Sequence, residues 1–175
     1  LTDCTKKING KWYAFDNNGF MQDGLVILDK NKVSGAKFVD SIDEDNTTAD
    51  EIYKLSLDEN KGLFYFSGDE EKDGSMKTGS SVKISLADDD YKFNFTKTSG
   101  QAVDGVKSNK LYWNGILQEA NDDKYSLIEV TTGRNAGNKY LVGTSGTICK
   151  AGHYYKDSND EYWVVKSFTK VEGTD

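Results

Sequence analysis

Gly10-Lys11-Trp12-Tyr13-Ala14-Phe15-Asp16-Asn17-Asn18-Gly19-Phe20-Met21-Gln22-Asp23-Gly24 holds a strand, a turn and a return in one short run. The aromatic and small apolar residues from Trp12 to Phe15 favour an extended strand. Asp16 to Gly19 are turn formers, and they tolerate the positive φ that a tight hairpin demands. Met21, two residues past Gly19, reads as core. Gly24, five residues past Gly19, marks where the chain turns again.

The same spacing recurs at Gly74 with Gly79, Gly100 with Gly105, Gly115 with Ala120 and Gly146 with Ala151. Each first glycine is followed two residues later by an apolar side chain: Met76, Ala102, Leu117 and Ile148. Aromatic or apolar strand candidates precede them, in Phe64-Tyr65-Phe66, in Tyr91, Phe93 and Phe95, in Tyr112-Trp113 and in Tyr140-Leu141-Val142. Thr98-Ser99, Asn114 and Thr144-Ser145 supply the intervening turn residues. A lone hairpin is marginal in water, so units of this kind must stack to bury their rings.

The pattern predicts an all-β fold, a solenoid-like array of β-hairpin repeats forming a single domain over 1–175. Its units lie around 10–24, 62–79, 91–105, 109–120 and 139–151. A closing hairpin over 152–168 runs from His153-Tyr154-Tyr155-Lys156 across Asp157-Ser158-Asn159-Asp160 to Tyr162-Trp163-Val164-Val165.

One region breaks the spacing. Between residues 25 and 60, Leu25-Val26-Ile27-Leu28, Ala36-Lys37-Phe38-Val39 and Glu51-Ile52-Tyr53-Lys54-Leu55-Ser56-Leu57 read as additional strands. For Thr48 to Lys54 the competing reading is a short helix capped by the threonine.

Composition agrees with an all-β chain that leans on rings for burial. The 175 residues hold 17 Gly and no Pro, and 12% aromatics stand within only 36% hydrophobic residues. A net charge of -7 excludes nucleic acid as a partner, because phosphate rewards clustered Lys and Arg. No apolar run approaches the ~20 residues of a membrane span, so membrane insertion is not expected. Leu1 reads as a processed or trimmed start, with no charged-then-apolar leader after it.

The stretch Gly10–Gly24 closely resembles one unit of the cell-wall-binding, or choline-binding, repeat family of Gram-positive surface proteins. Asp73-Gly74-Ser75-Met76-Lys77-Thr78-Gly79 and Thr98-Ser99-Gly100-Gln101-Ala102-Val103-Asp104-Gly105 resemble the second half of the same unit. Similar hairpins occur in glucan-binding domains and in the receptor-binding ends of clostridial toxins.

The resemblance implies a left-handed hairpin solenoid, secreted or on the bacterial cell surface, holding wall polymer or glycan with no catalytic residues and no cofactor. Choline, gripped between rings of consecutive repeats, is the family's small ligand. Residues matching its strand aromatics are Trp12, Tyr13, Phe64, Tyr65, Tyr112 and Trp113. The family places a tryptophan just after each closing glycine, whereas this chain has Leu25, Ser80, Val106, Asn121 and Gly152 there. Without those rings an intact choline cage is not expected. A sugar or wall-polymer ligand is expected ahead of choline, which stays as a lesser candidate partner, and the alternative is a degenerate repeat scaffold or adhesion stalk without a small ligand.

Other features have plainer readings. Trp12, Trp113 and Trp163 could stack on sugar faces, yet rings in so polar a chain are needed for the core; Trp113, beside Asn114-Gly115, is the one best placed for a surface. Acidic clusters at 43–45, 69–71, 88–90, 122–123 and 157–161 raise calcium. Asp69, Glu71, Asp73 and Gly74 begin like a calcium loop, but its twelfth position is Ser80 rather than Glu, so a solvated turn is expected and no metal. Cys149 and His153 would need helical spacing to act as a nucleophile and base, and nothing there reads as helix. Cys4 and Cys149 are expected as free thiols, the alternative being a bridge that needs their Cα atoms within ~7 Å.

Overall fold

The computed structural model describes residues 1–58, 60–67, 73–167 and 170–174, with Ser167 and 170–174 described through their backbone alone. In chain order the first half carries β1 Cys4–Ile8, β2 Lys11–Phe15, β3 Gly24–Leu28, β4 Phe38–Ser41, a 3₁₀ turn Glu44–Asn46, the helix α1 Ala49–Tyr53, β5 Gly62–Phe66, β6 Met76–Lys77, β7 Gly79–Ser85 and β8 Asp90–Phe95. The second half carries β9 Gly105–Lys107, β10 Lys110–Trp113, β11 Ile116–Leu117, β12 Tyr125–Glu129, β13 Lys139–Gly143, β14 Tyr154–Lys156, β15 Tyr162–Ser167 and β16 Lys170–Thr174. The fold is nearly all β, built from small antiparallel sheets of hairpins, with no closed barrel. The chain divides into two compact units, Leu1–Val103 with Asn114–Ile116, and Asp104–Trp113 with Leu117–Asp175.

In the first unit, β1 and β2 pair across Asn9-Gly10, whose φ angles of 49° and 83° suit a two-residue hairpin turn. In the four-stranded sheet β4-β3-β5-β6 the central strands β3 and β5 are buried on both faces. Leu25 of β3 and Leu63 of β5 enter one core with Ile52, Phe93, Phe95 and Ile116. Val26, Leu28, Phe64 and Phe66 enter the other, with Ala14, Val33 and Ala36. Two-sided burial explains why Leu25–Leu28 and Leu63–Phe66 are continuous apolar runs rather than alternating ones.

Glu51–Leu57 is not a strand; Ala49–Tyr53 is α1. A capping box decides it: the Glu51 N–H donates to Thr48 Oγ1 at 3.4 Å, and the Thr48 N–H donates to Glu51 Oε2 at 2.8 Å. The helix lays Ala49 and Ile52 on the first core. Its far end is held by buried Asn114, whose side-chain amide donates to Ile52 O at 2.9 Å and Leu55 O at 3.4 Å.

The repeated glycines act by what they lack. A Cβ on Gly74 would stand 2.6 Å from Met21 Cε, one on Gly100 would overlap Met76 Sδ, and one on Gly115 would stand 3.0 Å from Ala102 Cβ. Within the second unit, a Cβ on Gly146 would stand 2.6 Å from Leu117 Cδ1 and 2.9 Å from its Cγ. So the apolar residue two places after one glycine seats against the first glycine of the next hairpin. In four of the hairpins that residue also bridges back to its own first strand, as Phe15 to Met21, Phe66 to Met76, Phe95 to Ala102 and Val142 to Ile148. The closing position is Gly where φ is positive, at Gly24, Gly79 and Gly105, and Ala where it is not, at Ala120 and Ala151.

The second unit contains the hairpins β9–β10 and β12–β13 and the sheet β14-β15-β16. The closing hairpin expected over 152–168 is present as β14 paired with β15, with Tyr155 opposite Trp163, and β16 adds a third strand beside β15. Leu141, Cys149 and Val165 form its small core under Tyr125, Tyr155 and Trp163.

Two stability predictions follow from these contacts. Gly146→Ala costs about 2–4 kcal/mol in urea denaturation, combining left-handed strain with overlap on Leu117. Gly137→Ala, with φ at 90° and nothing within 4 Å of the new Cβ, costs about 1–2 kcal/mol from strain alone. If the seat is real, adding Leu117→Ala to Gly146→Ala gives a total below the sum of the single costs. Separately, Asn114→Ala leaves the carbonyls of Ile52 and Leu55 without that donor and strains a left-handed backbone, for a loss of about 2–3 kcal/mol by the same measurement.

Candidate functional site

Of the six rings matched by resemblance, Trp12, Tyr13, Phe64 and Tyr65 belong to the first unit and Tyr112 and Trp113 to the second. Phe64 is fully buried among Val26, Leu28 and Phe66, while Tyr112 at 5% exposure and Trp113 at 9% are also interior. The hairpin tip beside Trp113 therefore offers no exposed ring. Its neighbour Asn114 is itself buried, bonded back onto α1, so the turn is covered. Trp12, Tyr13 and Tyr65 are half-buried. Trp12 packs on the core that contains Phe64, whereas Tyr65 stacks on Phe95 at 6.0 Å between ring centres and belongs to the other core. Tyr13, next to Trp12 and so on the opposite face of β2, donates its hydroxyl to Asp73 at 3.3 Å.

Leu25, just after the closing Gly24, is fully buried in the first core, so that position is structural. Asp73, from the calcium-like stretch, accepts from Lys11 at 2.6 Å and from the Ser75 N–H at 3.1 Å. The Lys11 hydrogen bond, with that of Ser75, holds its carboxyl well below the usual range. Asp69 and Glu71 lie outside the described residues. Among the described residues no three metal-ligating side chains cluster, and no helix is long and apolar enough to cross a membrane.

Rings gather instead in the second unit. Tyr125 and Tyr155 meet edge to face at 5.3 Å, and Trp163 stands directly across the strand pair from Tyr155. All three are half-buried over Leu141, Cys149 and Val165. Tyr155 is fixed by its hydroxyl, which accepts from the Lys150 N–H at 2.7 Å and donates to Lys150 O at 3.1 Å.

Beside this cluster lies a cavity of ≈ 320 Å³ lined by Asn109, Ile148, Cys149, Lys150 and Ala151. Cys149 belongs to both features, since it lies in the core under the three rings and lines the cavity. Burial pushes its thiol up to about 11, so the cavity carries no thiolate at neutral pH. His153, exposed, sits 6.4 Å from the Tyr155 ring rather than against the thiol's core.

The site is a set of flat apolar faces with polar neighbours, suited to stacking and hydrogen bonding. The sequence names Tyr155 and Trp163 as strand residues of the closing hairpin, and the direct pairing of two rings across that hairpin is the signal that could have found them. Tyr125 has only its alternation with Leu127 to mark it, and its meeting with Tyr155 is a tertiary fact.

Among solved structures, the chain is similar to choline binding protein F from Streptococcus pneumoniae, with a TM-score of 0.46 and 20% identity over 93% of this chain and 40% of that one. It is also similar to the modular autolysin LytC from Streptococcus pneumoniae, with a TM-score of 0.30 and 15% identity over 99% of this chain and 34% of that one. For LytC in complex with a synthetic peptidoglycan ligand the TM-score is 0.28 at 16% identity, over 99% and 34% of the two chains. The chain thus spans 40% or less of the length of these structures. No protein-family model matches it, and no curated protein matches it in sequence.

Cys149 and Cys4 are both free, one buried and the other half-buried. With its thiol at about 11, Cys149 is a thiolate in about one molecule per thousand at pH 8. A thiol reagent at pH 8 labels Cys4 first and Cys149 only slowly in the native protein, and both rapidly in urea. Equal native rates, read by mass spectrometry, would contradict the buried placement.

Proposed function

We propose that this chain is an extracellular, non-catalytic module that binds bacterial cell-wall polymer or glycan and anchors the protein that carries it. The observation that carries this reading is the half-buried Tyr125–Tyr155–Trp163 cluster beside a cavity, set on hairpins locked by their glycines. Flat rings with hydrogen-bonding neighbours suit the apolar faces and hydroxyl edges of a sugar. The resemblance of Gly10–Gly24 to a wall-binding repeat supports the same conclusion. Of the rings matched by resemblance in the first unit, half-buried Trp12, Tyr13 and Tyr65 are left for contact.

A second reading has its own support. Burial of Leu25, Phe64, Tyr112 and Trp113 shifts rings and cage positions into the interior, as expected of a repeat scaffold that has given up its small ligand.

Sedimentation with insoluble cell wall separates the two. A binding module is retained on the wall, and Trp163→Leu, which keeps apolar volume but removes the flat face, weakens retention about tenfold while circular dichroism stays unchanged. Choline added as competitor is expected to have little effect, because Leu25, Ser80, Val106, Asn121 and Gly152 stand where the family's cage has rings. Retention no better than that of a denatured control would establish the scaffold reading.

A further inference from the structure

The cavity beside the rings has a chemistry of its own. Lys150 is its one charged lining residue, and no carboxylate lines it. In this chain of net charge -7, two other lysines of the same unit are matched with acids, Lys139 with Glu129 at 3.5 Å and Lys156 with Asp160 at 2.7 Å. Among the described residues the Lys150 ammonium has no acidic partner, and the Asn109 side-chain amide makes no hydrogen bond. Ile148 and Ala151 supply apolar wall, and Cys149 a neutral thiol.

The cavity is also positioned. Tyr155 holds both the N–H and the C=O of Lys150, and the Ile148 N–H donates to Asn109 O at 2.9 Å, so the backbone on both sides is fixed before a ligand arrives. Its ≈ 320 Å³ is at the small end of the range of about 300–1,000 Å³ for ligand pockets, which fits one sugar-sized group rather than a length of chain.

We infer that this cavity takes the carboxylate-bearing residue of an acidic wall glycan, its anion on Lys150, an amide or hydroxyl group on Asn109 and its apolar edge on Ile148 and Ala151. The inference rests on the binding-module reading and narrows it to an anionic sugar. A quaternary ammonium is disfavoured here, because it would meet an unpaired cation of like sign.

N-acetylmuramic acid and N-acetylglucosamine share a ring and differ by a lactyl carboxylate, so they are the probes. Each is titrated into the whole chain while the backbone amides of residues 148–151 are followed by NMR, with choline as a third titrant. The acidic sugar is expected to bind about tenfold tighter than the neutral one, with Lys150→Gln erasing the difference and Lys150→Arg keeping most of it. Equal affinity for the two sugars, no saturable shift at 148–151 with the acidic sugar, or a stronger response there to choline would each overturn it. Parallel wall sedimentation keeps the two readings apart. Equal retention of wild type and Lys150→Gln overturns the anionic pocket and leaves wall binding standing, whereas loss of retention by wild type removes wall binding itself.

Discussion

Every hairpin seat in this protein depends on an apolar side chain resting where a glycine has no Cβ. Met21 under Gly74, Met76 under Gly100, Ala102 under Gly115 and Leu117 under Gly146 are four instances of one contact. A hairpin of this size buries too little surface to stand alone, so its stability comes from the neighbour it touches. The glycine serves twice, since the turn needs its positive φ and the seat needs its missing side chain. Because the contact involves only two residues, the chain between successive seats can vary. The stretch from Gly24 to Gly62 inserts two strands and a helix between the seats without altering the contact itself.

This economy sets the fate of the aromatics. With little aliphatic residue to spare, the first unit fills both faces of one sheet with Phe64, Phe66, Tyr65 and their partners, and the stacked Phe93 and Phe95 complete one of its cores. Rings matching a ligand box by position are thereby consumed in folding. In the second unit Tyr125, Tyr155 and Trp163 pack half-buried on Leu141, Cys149 and Val165.

The acidic clusters have a local explanation as well. Asp16, Asp58 and Asp157 each accept two backbone N–H groups within their own turns, and Asp88 accepts from the Ala49 N–H at the start of α1. Glu44 accepts from the Leu25 N–H at 2.7 Å beside Gly24, where burial raises its carboxyl above the usual value. These carboxylates shape turns and leave the negative charge on the surface. The cavity beside the rings differs in being lined by a lysine and by no carboxylate.

What the sequence determined by itself is local: where the chain turns, which segments extend, and that the wall-box tryptophans are missing after Gly24, Gly79, Gly105, Ala120 and Ala151. Those features depend on backbone preferences acting over a few residues, so the glycine spacing was legible without coordinates. The Thr48–Glu51 capping box was equally local, yet strand propensity over Glu51–Leu57 competed with it, and burial of Ala49 and Ile52 settled the contest for helix. Cys4–Ile8 as a strand was signalled only by the Asn9-Gly10 turn that follows it. Tertiary structure alone decided which rings are covered, that Gly146 meets Leu117, and that Tyr155 ties Lys150 to the ring cluster. The reason is physical. A residue's conformation is governed by its near neighbours, but its burial depends on which faces meet, and those faces come from segments far apart in the chain.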